Sequence, residues 1–167
     1  MKRAIHLFPE FNNLKIIESL RMQYDPLFGL IPPHITLVFP FESNISSQIL
    51  QKHILDALKG ITPFPVKLQD FTGTVDQYLF LNVKKGNDQI IELHDRLYSG
   101  LLSTHQNQRF CFYPHLTIGK FSNEETLAIA ITEANLNKTQ FETVISKIFI
   151  ESIDGSGYST IEFVVSI

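Results

Sequence analysis

One cysteine in 167 residues, Cys111, leaves no partner for an internal disulfide, so thiol cross-links are excluded as the framework of the fold and a reducing compartment suits the chain. Flanked by Phe110 and Phe112, this thiol reads as a small buried hydrophobe before it reads as a nucleophile. Tryptophan is absent, and 14 Phe carry most of the aromatic content and read as core. No apolar run approaches the ~18 residues a membrane-spanning helix needs. Behind Met1-Lys2-Arg3 the apolar stretch is broken by His6, Pro9 and Glu10, so no signal peptide is expected there. Excess charge is lacking as well: the net of −3 does not describe a protein that coats long duplex nucleic acid. A small anion in a locally positive cleft stays possible. Low-complexity tracts are missing, and with 44% hydrophobic and 19% charged residues the chain has material for a sizeable core. One domain, or two small lobes sharing a core, fits this length.

What is present is a repeat. Pro33-His34-Ile35-Thr36-Leu37 returns 81 positions later as Pro114-His115-Leu116-Thr117-Ile118. From composition alone, two Pro-His-x-Thr strings are expected on the order of once in ten thousand such chains. Alternate residues of a strand share a face. His34 and Thr36 therefore look one way while Ile35 and Leu37 look into a core, and the second motif does the same. Each motif offers one titratable ring and one hydroxyl to a common space. In-line displacement at phosphorus needs a base on the entering side and an acid on the leaving side, and histidine suits both because its ordinary pKa is about 6.5. Threonine hydroxyls can donate to the non-bridging oxygens. This scheme asks for no metal and no cofactor. Neither histidine has a carboxylate or second histidine beside it at ligand spacing, so the pair is not a metal motif.

The remaining periodicity places the motifs in a fold. Arg3–Phe8 is predicted as a strand, Asn13–Tyr24 as a helix with Leu14, Ile17, Leu20 and Arg21 at helical spacing, and His34–Phe39 as the first motif strand. A helix from Ser46 or Ser47 to Lys59 carries Ile49, Leu50, Ile54, Ala57 and Leu58 as one stripe, and a strand over Val66–Val75 follows. The order then restarts: strand Tyr78–Val83, helix Asp88–Leu102, motif strand Phe110–Ile118, a helix capped by Ser122 with Glu125 as capping-box partner, and a long strand Phe141–Ile153. A turn at Asp154–Gly157 leads to a last strand, Tyr158–Ile167. The prediction is an α+β protein, residues 1–167 forming one two-lobed domain from repeat halves of about 1–76 and 77–167. Pseudo-twofold symmetry would line a central cleft with antiparallel sheets and put the helices outside.

On these residues the chain resembles the two-histidine phosphoesterase superfamily, which includes 2′-5′ RNA ligase-like proteins and 2′,3′-cyclic phosphodiesterases. The signature is the duplicated His-x-Thr followed by an apolar residue, here His34-Ile35-Thr36-Leu37 and His115-Leu116-Thr117-Ile118. Tyr24-Asp25-Pro26 and Ile31-Pro32-Pro33-His34 suggest its small bacterial branch. The resemblance implies a bilobal duplicated fold and metal-independent hydrolysis of a cyclic phosphodiester, with His34 and His115 catalytic and Thr36 and Thr117 on the substrate. Lys120 stands where many relatives carry arginine, so a point charge replaces a fork.

Other candidates follow from parity. Tyr113 shares the phase of His115 and could stack on a base or ribose at the cleft rim, with simple packing as the competing reading. Arg109 and Lys120 are candidate phosphate contacts, although Lys120 is out of phase with His115 and needs a bulge at Gly119 to reach the cleft. His53 and His94 read as solvated or lightly packed on helices, His105 as part of a polar loop, and His6 as facing either cleft or core. The expected partner is a small cyclic phosphate or an RNA 3′ end, with no membrane involved, in a cytoplasmic monomer. A binding module that holds an RNA end or phosphorylated ligand without reacting is the alternative.

Overall fold

Alternating and helical apolar patterns resolve, in a computed structural model describing residues 1–109, 111–136 and 138–167, into strands and helices in the predicted order. The strands are β1 (Lys2–Leu7), β2 (Ile35–Glu42), β3 (Phe64–Gly73), β4 (Tyr78–Lys85), β5 (His115–Lys120), β6 (Phe141–Ile145), β7 (Lys147–Ile153) and β8 (Ser159–Ser166). The helices are α1 (Leu14–Tyr24), α2 (Ser47–Ala57), α3 (Asn87–Leu97) and α4 (Glu124–Ala134). Two four-stranded antiparallel sheets result, ordered β2-β1-β7-β8 and β5-β4-β3-β6. Both motif strands, β2 and β5, are edge strands, and they touch each other across the molecule.

Several boundaries differ from the sequence reading, each for a physical reason. The long strand predicted over residues 141–153 is two strands in different sheets, β6 and β7, parted at Ser146. Its buried residues change phase there, from Phe141 and Ile145 to Ile148 and Ile150, as a strand must when its core lies on the other side. β3, from the first half of the chain, joins β4 in the second sheet, so the sheets do not coincide with the halves of the sequence. α3 stops at Leu97 rather than Leu102, because Gly100 turns left-handed (φ 57°) and starts a 3-10 turn over Gly100–His105. The cap of α4 is Asn123, whose side chain accepts from the Thr126 amide at 2.9 Å, and not Ser122. Ser46 caps α2 as expected, but Ile49 lies on its exposed face. β5 begins at His115, since Pro114 has no amide to donate to a ladder. The predicted start at Phe110 lies outside the described residues.

The helices clasp the motif strands crosswise. α1, from the first half, packs on β5; α3, from the second, packs on β2. At one clasp the Tyr98 hydroxyl accepts from the Phe39 amide at 3.0 Å, and Nδ1 of buried His94 donates to the Leu37 carbonyl at 2.8 Å. At the other, Gly119 meets the end of α1 so closely that an added Cβ would sit 2.5 Å from Cβ and 2.8 Å from O of Tyr24. Backbone cannot yield as a flexible side chain does. Gly119→Ala is therefore expected to cost about 1–3 kcal/mol, read as a lower urea midpoint at unchanged m-value; an unaltered midpoint would show that α1 does not rest on this strand.

Candidate active site

Pro32 and Pro33 hold the chain extended before the first motif, and the aliphatics behind each motif are fully buried: Ile35, Leu37, Leu116 and Ile118 all at 0% exposure. His34, Thr36, His115 and Thr117 are half-buried on the opposite face. Both rings are anchored alike. Nδ1 of His34 lies 2.8 Å from the Pro32 carbonyl, and Nδ1 of His115 lies 2.6 Å from the Tyr113 carbonyl, in each case two residues back. A carbonyl oxygen can only accept, so the proton of each neutral ring sits on Nδ1 and the Nε2 lone pair is left for proton transfer.

Both histidines resist protonation. At His34 burial is the largest cause, followed by repulsion from His6 and smaller repulsions from Arg21 and His115, with the Pro32 carbonyl pulling the other way; the result is a pKa of about 3. That His115 is felt at His34 agrees with the contact of β2 and β5. Burial also holds His115 below the ordinary histidine range, against the pull of the Tyr113 carbonyl.

Around His115 the wall is aromatic. Phe80 stacks on its ring with centroids 3.6 Å apart, and Tyr113 lies on it at 5.6 Å. The exposed Tyr113 donates its hydroxyl to Oδ1 of buried Asn82, which also accepts from Thr72 at 2.9 Å. Lys120 gains the phase it lacked in sequence, because the register of β4 with β5 slips between Leu79 and Phe80 and sets Lys120 opposite Tyr78. Its ammonium sits 4.0 Å from the Tyr78 ring centroid and donates to the Asp76 carbonyl. Arg109 stays in an exposed loop.

Behind His34 the support is charged. Arg21 is 1% exposed although it lies on the apolar stripe of α1; it pairs with Asp25 at 2.7 Å and donates to the Ile31 carbonyl at 2.8 Å. An arginine within an apolar stripe and an aspartate four residues on were the available signal for this buried pair. His6 faces His34, with ring centroids 4.5 Å apart. His94 is buried rather than solvated, stacked on Phe112 at 3.6 Å. His53 bonds the Leu97 carbonyl at 2.8 Å, and His105 packs on Phe41 at 5.0 Å. Among the described residues no group of three or more His, Cys, Asp or Glu is placed to hold a metal ion, and no helix is long and apolar enough to cross a membrane.

The family model for the 2′-5′ RNA ligase superfamily matches residues 8–157, most of the chain and both motifs. The chain belongs to the 2′-5′ RNA ligase superfamily. Membership indicates chemistry of the two-histidine phosphoesterase type. Among its relatives are proteins named "Putative phosphoesterase" from Geobacillus thermodenitrificans, 33% identical over 88% of this chain and 85% of that one, and from Halalkalibacterium halodurans, 29% identical over 97% and 95%. Of solved structures, Escherichia coli LigT complexed with 3′-AMP superposes with a TM-score of 0.63 at 14% identity, covering 99% of this chain and 97% of that one. Kluyveromyces marxianus Usb1 gives 0.55 at 9% identity, covering 99% and 98%. These likenesses establish the superfamily's α+β fold of two antiparallel sheets with flanking helices.

Proposed function

We propose that this chain hydrolyses a 2′,3′-cyclic phosphodiester, at an RNA 3′ end or on a nucleotide, by two-histidine acid–base catalysis without a metal. The observation that carries the reading is the matched anchoring of His34 and His115, which leaves Nε2 of each ring as its proton-transfer atom on neighbouring edge strands. One histidine takes a proton from water as the water oxygen bonds to phosphorus. The other gives its proton to the ribose oxygen as that P–O bond breaks, and a phosphomonoester is left. Thr36 and Thr117 donate to the non-bridging oxygens, where charge grows in the transition state. Tyr113, exposed beside His115, holds a base or ribose at the rim, and Lys120 meets a phosphate from the same face. LigT has been solved with 3′-AMP, ATP and NADP+, which supports a small phosphate-bearing substrate here. In reverse, the same groups would join a cyclic phosphate to a 5′-hydroxyl.

The test is turnover of short RNAs ending in 2′,3′-cyclic phosphate, and of the free cyclic mononucleotides, by metal-stripped protein with chelator present, followed by mass and phosphorus NMR. Ring opening is expected. Cyclic phosphate that binds but stays intact would make the cleft a receptor. The pH profile carries a further expectation. The acid must be protonated in the free enzyme, and both histidines hold protons less tightly than usual, so kcat/KM should peak below pH ~6.5 and fall as pH rises. The bound phosphate anion favours the protonated rings, so the alkaline limb of kcat should lie at higher pH than that of kcat/KM. A kcat/KM maximum above pH ~7.5 would contradict the assignment.

A further inference from the structure

The two motifs are near copies, but their neighbours are not. His6 lies opposite Thr36 in the register of β1 with β2, and Phe80 holds the same place opposite Thr117 in the register of β4 with β5. Directly opposed residues share a face of the sheet, so His6 and Phe80 are corresponding inner neighbours. Phe80 cannot titrate. His6 is an imidazole, and it is paired: its Nδ1 is 2.5 Å from Oε2 of Glu151 on β7, with His6 3% and Glu151 1% exposed. A carboxyl group so deeply buried is tolerable when it has a hydrogen-bonding partner, and His6 is that partner. The imidazole end of the pair, not the carboxylate, lies against His34. The two-histidine reaction described above has no use for this third histidine.

We propose that the His6–Glu151 pair is a positioning unit for His34, holding it as the base that accepts the proton of water and leaving His115 as the acid that protonates the departing ribose oxygen. The inference rests on the cyclic phosphodiesterase reading. The groups facing His34 are His6 from β1 with Glu151 behind it on β7, Arg21 from α1 paired with Asp25, and His115 from β5. The members nearest to the ring are cationic or can become so, and a like charge at such range opposes a second proton. Apart from His34 across the contact of β2 and β5, the neighbours described at His115 are uncharged Phe80, Tyr113 and, opposite it in register, Asn82. Among the described residues burial is the first cause that opposes protonation there, and the repulsion between the two rings acts on both and does not distinguish them. The proton carried by the free enzyme therefore belongs on His115.

The experiment is an NMR titration of the ring signals of His34 and His115 in the wild type, His6→Phe and Glu151→Gln, with kcat/KM profiles on 2′,3′-cyclic AMP measured alongside. His6→Phe copies the Phe80 side of the cleft, and Glu151→Gln keeps the packing should the first variant not fold. In each variant the His34 midpoint is expected to rise by about one pH unit or more. His115 should stay in place, and the acid limb of kcat/KM should rise with His34 while the alkaline limb holds. A His34 midpoint unmoved or lowered in the folded variants overturns the proposal, as does an alkaline limb that moves with His34. Should wild-type protein leave cyclic AMP intact, the phosphodiesterase reading fails separately, and the His34 midpoints still decide whether the pair acts on that ring.

Discussion

His34→Ala and His115→Ala are each expected to lower kcat by about 10²–10⁴-fold while leaving the fold intact. Each ring sits half-buried at an edge strand and makes one short hydrogen bond to the carbonyl two residues before it. Removing it costs that bond, about 1 kcal/mol or less once water replaces the ring, and disturbs none of the fully buried aliphatics behind the motifs. The rate loss is of another order, because each substitution removes a proton donor or acceptor from a single in-line step. As the two act in one transition state, the double variant should be little slower than either single one. Steady-state kinetics on a cyclic mononucleotide, with a thermal melt of each variant, measures both sides. Turnover within tenfold of wild type for either variant would remove that histidine from the chemistry.

Arg21→Met should produce the largest loss of stability. The guanidinium is buried, it pairs with an Asp25 side chain only 4% exposed, and it supports the Ile31 carbonyl just ahead of the motif. Methionine fills the space but leaves a buried carboxylate unpaired. Breaking a buried pair in this way costs about 3–5 kcal/mol, a fall in Tm of roughly 6–20 °C at this chain length. The loop leading to His34 would also lose its anchor, so kcat should fall too. Asp25→Leu added to Arg21→Met removes the orphaned charge, and the double variant is expected to be more stable than Arg21→Met alone. A loss under ~1 kcal/mol for Arg21→Met would show that the pair does not hold this segment.

Local pattern was enough for much of this molecule. The duplicated His-x-Thr, its alternation of polar and aliphatic residues, and the order of strands and helices are legible because strand and helix periods are written in the sequence within a few residues. Periodicity reports which face a residue uses, never what lies against that face. The division of residues 141–153 between two sheets, the pairing of His6 with a glutamate 145 positions away, the burial of Arg21 and the phase of Lys120 were decided by contacts distant in sequence. The same holds for the state of the two rings. The motifs are almost identical as strings, and it is desolvation and unlike neighbours, His6 on one side and Phe80 on the other, that make His34 and His115 chemically different.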